Sequence, residues 1–257
     1  MQKILTADLP GDWDSVEIYP LSDLHVGDEY MDEKLFKKFI LHILDKENRY
    51  IVSLGDLANN AVKTSVSNVY NESISPKKQR RWLRKNLKPV ADRILLMTGG
   101  NHEERSIKEV DNDITEELAE SLGIGERYRE NEGVLKVSVG KRRNGKPWVY
   151  LLYCTHGKGG GKKPGSALNN LADLAMSIDS DIYIIGHTHK KIAHKNTFRR
   201  VDMRNNKIVD KQERLFVSSS SYTSFGGYAA RGMMIPSAKG SVPITLSGLR
   251  KEFYAQV

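Results

Sequence analysis

The chain has 257 residues, which is long enough for one large α/β domain or two small ones. Its hydrophobic content of 39% and charged content of 28% are ordinary for a globular protein. No apolar run approaches the ~20 residues that a membrane-spanning helix needs, so the sequence predicts no membrane partner. The net charge of +8 favours anionic partners such as nucleic acid or nucleotides, although many basic proteins bind neither.

The chain contains a single cysteine, Cys154, and therefore no internal disulfide. Its first residues do not follow the pattern of a signal peptide. Both observations predict a reducing, cytoplasmic location. We interpret Cys154 as a core residue because the chemistry inferred below needs no covalent intermediate.

The first half of the chain predicts strands that alternate with helices. A buried strand over 15–23 precedes a helix over 33–46, for which Asp32 is a suitable N-cap. The apolar runs over 49–56 and 92–104 predict two further strands.

Two more helices follow from capping signals. Ser75 before Pro76 predicts a helix that runs to about Lys88. Asp113 and Glu116 have the spacing of a capping box, for a helix that ends near residue 123.

The second half predicts mostly strands. A hairpin over 133–157 turns at Asn144-Gly145, and a helix near 167–176 precedes a buried strand over 181–189. The rest alternates as β-structure, with a turn at 204–206. This order predicts an α/β fold, as a mixed sheet or a two-sheet sandwich in a single domain over 1–257, with residues 190–257 completing the second sheet and a tail.

Five motifs place side chains able to bind a metal where apolar runs end: SDLHVG, LGDL, GGNHEE, YCTHG and GHTH. Their candidate ligands are Asp23, His25, Asp56, Asn101, His156, His187 and His189. Carboxylate, imidazole and amide ligands suit borderline-hard cations such as Mn²⁺, Fe or Zn²⁺. Asp-x-His and His-x-His each direct both side chains to one metal, because residues i and i+2 point to the same side of an extended chain. The motifs therefore predict a dinuclear metal site.

The same order of motifs resembles the calcineurin-like metallophosphoesterase superfamily, from about Asp23 to His189. The resemblance implies a four-layer sandwich of two mixed β-sheets flanked by helices, with the metals at strand ends. It implies two ligand sets bridged by Asp56: Asp23, His25 and His189 for one metal, and Asn101, His156 and His187 for the other. It further implies that His102 faces the scissile phosphate without binding metal.

Two divalent cations side by side can polarise a phosphoryl oxygen and lower the pKa of a bridging water, whose hydroxide attacks phosphorus. His102 would then protonate the leaving group or stabilise the charge of the transition state. Mn²⁺ is our first expectation for both metals, with Fe, Zn or Ni as alternatives.

The stretch GDLANNA narrows the substrate class. Protein Ser/Thr phosphatases of the superfamily carry GDxVDRG, whose Arg grips a phosphomonoester; this chain has Asn59 and Asn60 in place of that Asp and Arg. Because a bidentate Arg is missing, the sequence favours a phosphodiester, with Asn59 as a candidate substrate contact. SDLHVG also resembles the first motif of the superfamily's repair nucleases, which have a longer capping region, and similar motifs occur in cyclic-nucleotide phosphodiesterases and lipid-A-pathway pyrophosphatases.

Basic segments suggest an anionic polymer as substrate. Lys77, Arg81 and Arg84 form a cationic stripe on the predicted helix, which could follow a phosphate backbone while Trp82 stacks on a base. The alternative is a solvated helix face with Trp82 in the core. The glycine- and lysine-rich loop after His156 could contact phosphate or could be a plain surface loop; its lysines are Lys158, Lys162 and Lys163.

The Ser/Gly-rich tail could reach the site or could only close a sheet, and its candidates are Tyr222, Phe225, Tyr228 and Arg231. Taken together, the sequence predicts a metal-dependent phosphoesterase that cleaves phosphodiesters, with nucleic acid as the first expected substrate. The alternatives are a phosphomonoesterase acting on nucleotides or phosphoproteins, and a non-catalytic binding scaffold.

Overall fold

The computed structural model describes residues 3–257 apart from residues 64, 66–68, 160, 227–229, 231, 232 and 234. Its helices are α1 (Glu33–Leu44), α2 (Pro76–Leu87), α3 (Glu104–Val110), α4 (Ile114–Leu122) and α5 (Pro164–Ser177). The first sheet has the strand order β1 (Leu5–Asp8), β6 (Glu132–Val139), β7 (Trp148–Thr155), β8 (Ile182–Ile185), β10 (Lys207–Ser218) and β9 (Ile192–Asp202). The second has the order β12 (Phe253–Ala255), β11 (Ile244–Ser247), β2 (Ser15–Leu21), β3 (Arg49–Ser53), β4 (Ile94–Thr98) and β5 (Tyr128–Arg129).

Both sheets are mixed. Strands β2, β3, β4 and β5 are parallel neighbours, and so are β7, β8 and β10. The remaining pairs include the antiparallel hairpins β6–β7 and β9–β10. The carboxyl ends of parallel strands meet at one edge of a sheet, so each sheet offers one edge where several motifs can converge.

The two sheets pack face to face through a buried apolar layer. Ile18 and Val52 of the second sheet lie in one cluster with Leu152 and Ile184 of the first. A separate cluster buries α1, α2 and α4 on the outer face of the second sheet, and a third buries α5 on the outer face of the first. The predicted four-layer α/β sandwich is therefore confirmed.

Helix caps account for two of the predicted helix starts. The Asp32 carboxylate accepts a hydrogen bond from the Leu35 backbone N–H at 2.9 Å, and the Asp113 carboxylate caps α4 in the same way. Helix α1 buries Phe36 and Ile43, as its periodicity predicts, but it leaves Leu44 45% exposed. Leu44 therefore lies at the edge of the buried face of α1.

The structure differs from the sequence prediction in four elements. Strands β1 and β5 and helix α3 were not predicted, because the strands have four and two residues and the helix is short. The β6–β7 hairpin has an eight-residue connection between Val139 and Trp148, so Asn144-Gly145 is part of a longer loop. The chain after His189 adds strands to both sheets. Among the helices of the described chain, none is long and apolar enough to cross a membrane.

Candidate metal centre

Five of the seven candidate ligands follow the strand ends in a left-handed backbone conformation; Asn101 and His156 do not. Of the nine non-glycine residues with positive φ in the described chain, six belong to this region, with φ between 44° and 60°: Asp23, His25, Asp56, Asn60, His187 and His189. Such conformations are costly for residues with a side chain and concentrate at functional sites. The extended conformation predicted for Asp-x-His and His-x-His was therefore wrong, although Asp23 and His25 do fall in one group of donors, as predicted.

One group of donors joins the second sheet to the first. Asp23, His25 and His189 offer ligand atoms that all lie within 4.8 Å of one another. His189 Nε2 lies 3.1 Å from Asp23 Oδ1 and 3.3 Å from His25 Nε2. The other carboxylate oxygen of Asp23 accepts hydrogen bonds from Ser22 and from the His187 backbone N–H. The carboxylate is thereby fixed in orientation.

A second group lies beside the first. It consists of Asp56, His156 and His187, whose ligand atoms also lie within 4.8 Å of one another. His156 Nε2 is 3.1 Å from His187 Nδ1, 3.3 Å from Asp56 Oδ2 and 3.1 Å from Asn101 Oδ1. His187 and His189 thus belong to different groups, although they are separated by one residue.

A third group connects the other two, because it shares His25 with the first and Asp56 with the second. Its remaining member is His102, whose Nε2 lies 3.7 Å from Asp56 Oδ2. The rings of His25 and His102 meet edge to face, 4.4 Å apart. His102 is therefore near enough to join a ligand set, and a measurement that separates this role from catalysis is argued below.

The chemistry of these donors fits divalent cations. The Leu54 carbonyl accepts a hydrogen bond from His156 Nδ1 at 2.6 Å, so a neutral His156 turns the lone pair of Nε2 towards the acceptors around it. Such convergence of acceptors needs positive charge at its centre. Without a cation, burial lowers the pKa of His156 but the adjacent Asp56 carboxylate outweighs burial and raises it to about 10, so a proton on Nε2 takes the place that a cation would occupy. Burial likewise opposes ionisation of Asp23, yet His189 holds the pKa of that carboxyl below its ordinary value.

His102 is held by the loop after β3. Its Nδ1 donates to the Asn59 carbonyl at 2.8 Å, and its own backbone N–H donates to Asp56 Oδ1 at 2.8 Å. Because Nδ1 is occupied, Nε2 is the ring nitrogen that faces Asp56. Burial lowers the pKa of His102, with Arg105 acting in the same direction against the opposing effect of Asp56.

The side chains of Asn59 and Asn60 are buried and bonded within the protein. Asn59 Nδ2 donates to Glu72 at 3.1 Å, and Asn60 Nδ2 donates to the His102 carbonyl and to Ser106. Asn59 contributes to the site through its backbone carbonyl, and its proposed contact with substrate stays a prediction.

Glu103 was missed by the sequence analysis, although it directly follows His102 in the GNHE motif. Its carboxylate is 2% exposed and accepts from three backbone N–H groups, of Asp56 at 2.8 Å, Ala58 at 3.0 Å and Gly100 at 3.1 Å. Burial, together with the Asp56 charge, raises the pKa of Glu103 to about 7. One side chain thus joins the loops that carry Asp56 and Asn101.

Replacing Glu103 by alanine is expected to lower the free energy of unfolding by about 3 kcal/mol or more, because three buried donors lose their acceptor. Urea denaturation of the metal-free protein measures the loss. Glu104→Ala is the matched control, since Glu104 is exposed and forms an ion pair with Lys108 along α3. A Glu103 variant as stable as that control would contradict the role assigned to the carboxylate.

Buried serines after β10 form hydrogen bonds with the backbone of the GHTH segment and of the strand before it. Ser220 Oγ donates to the His189 carbonyl at 3.0 Å, and the Ser219 backbone N–H donates to the Ile185 carbonyl. The Tyr222 backbone N–H donates to the Asp23 carbonyl at 3.0 Å. The tail therefore closes over both His- and Asp-bearing loops through backbone contacts.

The aromatic candidates of the tail have different locations. Tyr222 packs in the outer core against Phe36 and Phe39, and Phe225 is exposed. Tyr228 and Arg231 lie outside the described residues. Cys154 is fully buried, as predicted for a core residue, and burial raises the pKa of its thiol.

The lysine-bearing loop lies beside His187. A side-chain carbon at Gly159 would lie 3.5 Å from His187 Nε2, so the loop backbone closely approaches that imidazole. Lys190 fastens the loop from the GHTH side, since its Nζ donates to the carbonyls of Gly161 at 2.7 Å and Lys163 at 3.0 Å. The three loop lysines themselves are exposed to solvent: Lys158, Lys162 and Lys163.

The cationic stripe lies on the exposed face of α2. Gln79, on the opposite face, is fully buried and accepts from the Asn60 backbone N–H at 2.9 Å. The structure therefore does not bring the stripe to the metal-binding residues, and its role stays a prediction for Lys77, Arg81 and Arg84. Trp82 packs against Phe36 with ring centroids 5.3 Å apart, which confirms the alternative that Trp82 belongs to the core.

Solved structures with a similar fold include Vacuolar Protein Sorting 29 from Cryptosporidium parvum, at 13% identity and a TM-score of 0.46 over 94% of this chain and 96% of that one. A Vps29 complexed with Zn²⁺ from Entamoeba histolytica has 12% identity and a TM-score of 0.44, over 94% and 97% of the chains. A metallophosphoesterase from Sphaerobacter thermophilus has 14% identity and a TM-score of 0.42, over 94% and 88%. None of these likenesses bears on substrate.

No curated protein sequence matches the chain. A sequence profile described as calcineurin-like phosphoesterase matches residues 17–191, which span β2 to the end of the GHTH motif and include every donor of the three groups. Because the match covers more than half of the chain, the chain belongs to the calcineurin-like phosphoesterase family.

Proposed function

We propose that this protein is a dinuclear metal-dependent phosphoesterase that hydrolyses phosphodiester bonds, with nucleic acid as its substrate. The observation that carries the proposal is the convergence of carboxylate and imidazole donors in three overlapping groups, which share His25 and Asp56. A site for one cation needs only one such group.

Seven residues would hold the metals: Asp23, His25, Asp56, Asn101, His156, His187 and His189. Two divalent cations, Mn²⁺ first, would supply Lewis-acid polarisation of the phosphoryl group and an acidified water. The chain itself holds each donor in place: the Leu54 carbonyl orients His156, and Ser22 and the His187 N–H orient Asp23.

His102 would deliver a proton to the leaving oxygen. Its Nδ1 is engaged by the Asn59 carbonyl, so the proton would be exchanged at Nε2, the nitrogen on the Asp56 side of the ring. General acid–base groups of this kind contribute about 10²–10⁴-fold to the rate.

Two observations support a diester over a monoester. The side chains of Asn59 and Asn60 are uncharged and bonded within the protein, so neither of these two positions offers a cation for the second charge of a monoester. The exposed lysines of the loop beside His187 extend the positive surface beyond the metal-binding residues, as a substrate with several phosphates requires.

The Mn²⁺-loaded protein is expected to hydrolyse bis-p-nitrophenyl phosphate faster than p-nitrophenyl phosphate. Single- and double-stranded DNA and RNA are tested in parallel, and polynucleotide binding is expected to weaken steeply with salt because many phosphates are contacted. Each substrate is also assayed with a double variant that carries Lys162→Ala and Lys163→Ala. This variant should bind polynucleotides more weakly but hydrolyse bis-p-nitrophenyl phosphate at an unchanged rate.

If only the monoester is hydrolysed, polynucleotides stay intact and binding depends only weakly on salt, the proposal is wrong. The protein would then be a phosphomonoesterase acting on nucleotides or phosphoproteins. Inactivity towards every substrate with Mn²⁺, Fe²⁺, Zn²⁺ and Ni²⁺ would instead favour a binding scaffold.

A further inference from the structure

The hairpin of β9 and β10 extends beyond the rest of the first sheet. Strand β8 pairs with β10 only from Leu215 to Ser218, whereas β9 and β10 remain paired with each other as far as Asp202 and Lys207. The hairpin between residues 196 and 214 is therefore a two-stranded ribbon, of which β9 is the last strand of the sheet. We call this segment the β9–β10 ribbon.

The ribbon is held at its tip and at its base. At the tip, the Asp202 carboxylate accepts hydrogen bonds from the backbone N–H groups of Arg204 at 3.1 Å and Asn205 at 3.3 Å. At the base, the guanidinium of Arg214 lies 4.3 Å from the centre of the Phe198 ring. The acidic side chain nearest the tip is thus used within the turn, and the ribbon has a defined shape.

Half of the net charge of the protein lies on this hairpin. Residues 192–218 contain seven lysines and arginines and three acidic residues, so they account for four of the eight net positive charges. The side chains of Arg200, Arg204 and Lys207 are exposed and form no ion pair with a described residue. Because Lys207 is directly opposite Asp202, and alternate residues of a strand share a face, Lys207 and Arg200 project from the same face.

Positive charge continues from the ribbon to the metal-binding residues. Strand β9 begins three residues after His189, and Lys190 and Lys191 lie between them. Further basic residues follow along the strand: Lys195, Arg199 and Arg200. At about 3.3 Å per residue, the strand from Ile192 to Asp202 is about 33 Å long. A polyanion that leaves the metal centre along β9 would therefore meet cations as far as the tip of the ribbon.

Two features of the ribbon favour duplex DNA over a lipid surface. A two-stranded β-ribbon fits the major groove of B-DNA, which is about 12 Å wide. Insertion into a bilayer requires an apolar tip, whereas five of the six residues from Asp202 to Lys207 are polar or charged. The exposed apolar residues beside the turn, Val201 and Ile208, are direct neighbours across the two strands, so each partly covers the other.

We propose that the β9–β10 ribbon is a second binding site for duplex DNA, at which phosphates contact Arg200, Arg204 and Lys207. The inference rests on the proposed function for its choice of a nucleic-acid substrate. It goes further by assigning a binding surface outside the metal centre and a size of substrate. At about 3.4 Å per base pair, the duplex must extend about ten base pairs from the cleaved bond to reach the tip.

The test measures the binding of a fluorescein-labelled duplex of about 30 base pairs to the metal-free protein, by fluorescence anisotropy at several salt concentrations. The triple variant with Arg200→Ala, Arg204→Ala and Lys207→Ala is expected to bind at least about 10-fold more weakly at low salt. The slope of log Kd against log salt should fall by about 3, because each lost phosphate contact lowers it by about one.

Two further variants separate the location of the charges from their number. Lys34→Ala, Lys38→Ala and Lys46→Ala together remove three exposed charges at α1, on the other side of the sandwich, and should leave binding nearly unchanged. A variant with Arg200→Lys and Arg204→Lys keeps the charges of the ribbon and should retain most of the affinity. Circular dichroism checks that every variant is folded.

Activity provides a second readout of the same site. With Mn²⁺ bound, the wild type should have a lower KM for the long duplex than for one shorter than about ten base pairs, which cannot reach the tip. The triple variant should lose most of that advantage. Its hydrolysis of bis-p-nitrophenyl phosphate should stay at the wild-type rate, because this small diester does not reach the ribbon.

Four results would overturn the assignment. Equal affinity and equal salt slope for the triple variant and the wild type would show that the ribbon cations contact only solvent. An equal loss in the α1 variant would show that only net charge matters. Loss of binding to phosphatidylserine vesicles, with duplex binding intact, would assign the ribbon to a lipid surface. A wild type that hydrolyses bis-p-nitrophenyl phosphate but binds no duplex would reject the nucleic-acid substrate and this inference with it, and would leave the phosphodiesterase activity standing.

Discussion

Replacing His102 by alanine is expected to lower kcat for the hydrolysis of a dinucleotide diester by about 10²–10⁴-fold, while two metals per chain remain bound. The loss follows from the position of His102, whose Nε2 lies 3.7 Å from Asp56 Oδ2 and whose Nδ1 is fixed by the Asn59 carbonyl. The metal count decides between two roles, since His102 also lies within ligand distance of His25 and Asp56.

The measurement combines steady-state kinetics with metal analysis after gel filtration. His42→Ala is a suitable control, because His42 is an exposed histidine of α1 whose contacts are with Tyr19 and Arg49. Loss of one metal from the His102 variant would make His102 a ligand and would contradict the general-acid role. Wild-type turnover with both metals bound would leave His102 without a part in the chemistry.

A leaving group that needs no proton provides a second test, which distinguishes protonation of the leaving group by His102 from stabilisation of charge on the phosphoryl group. p-Nitrophenolate leaves as a stabilised anion, whereas a nucleoside alkoxide requires protonation. The His102 variant should therefore lose more activity towards a dinucleotide than towards bis-p-nitrophenyl phosphate. An equal loss for both substrates would point to stabilisation of charge on the phosphoryl group instead.

The sequence predicted the candidate ligands as a set because each follows an apolar run, and the structure brings six of them into the donor groups, as parallel strands that end at one edge allow. It also suggested the division of His187 and His189 between two metals, which came from the resemblance and not from spacing. The spacing of the motif residues predicted the wrong backbone conformation, because it assumed an extended chain. The backbone of Asp23, His25 and His189 is instead left-handed. A local conformation that tertiary contacts impose leaves no periodic signal in the sequence.

Contacts between residues far apart in the sequence determine those features of the candidate site that the sequence alone could not predict. Asn59 and Arg105 are 46 residues apart in the sequence but share a hydrogen bond, and Asp23 and Tyr222 share one although they are still farther apart in the sequence. Helical periodicity did place the stripe of α2 on one face, but it could not tell which face would meet the site. The buried Gln79, a polar residue on the opposite face, is the one that contacts the loop of Asn60.

The carboxylate of Asp56 belongs to two of the three donor groups, so its removal is expected to weaken both metals of the proposed site at once. Asp56 is 2% exposed, lies 3.3 Å from His156 Nε2, and accepts the His102 backbone N–H at 2.8 Å. Asp56→Asn preserves the shape and one acceptor but removes the negative charge, so the cluster no longer favours two cations. We expect a loss of activity of at least about 10²-fold, since even residues outside the ligand set have effects of that size.

Thermal unfolding tests this without reference to activity. A metal that binds only the folded protein stabilises it by about 2.7 kcal/mol at 100 times its Kd, so Mn²⁺ should raise the Tm of the wild type. The same titration should leave the Tm of Asp56→Asn nearly unchanged, whereas Asp92→Asn, at an exposed position, should respond as the wild type does. An Asp56 variant that gains as much Tm as the wild type would mean that the two histidine groups bind their metals independently, and that no bridging carboxylate couples them.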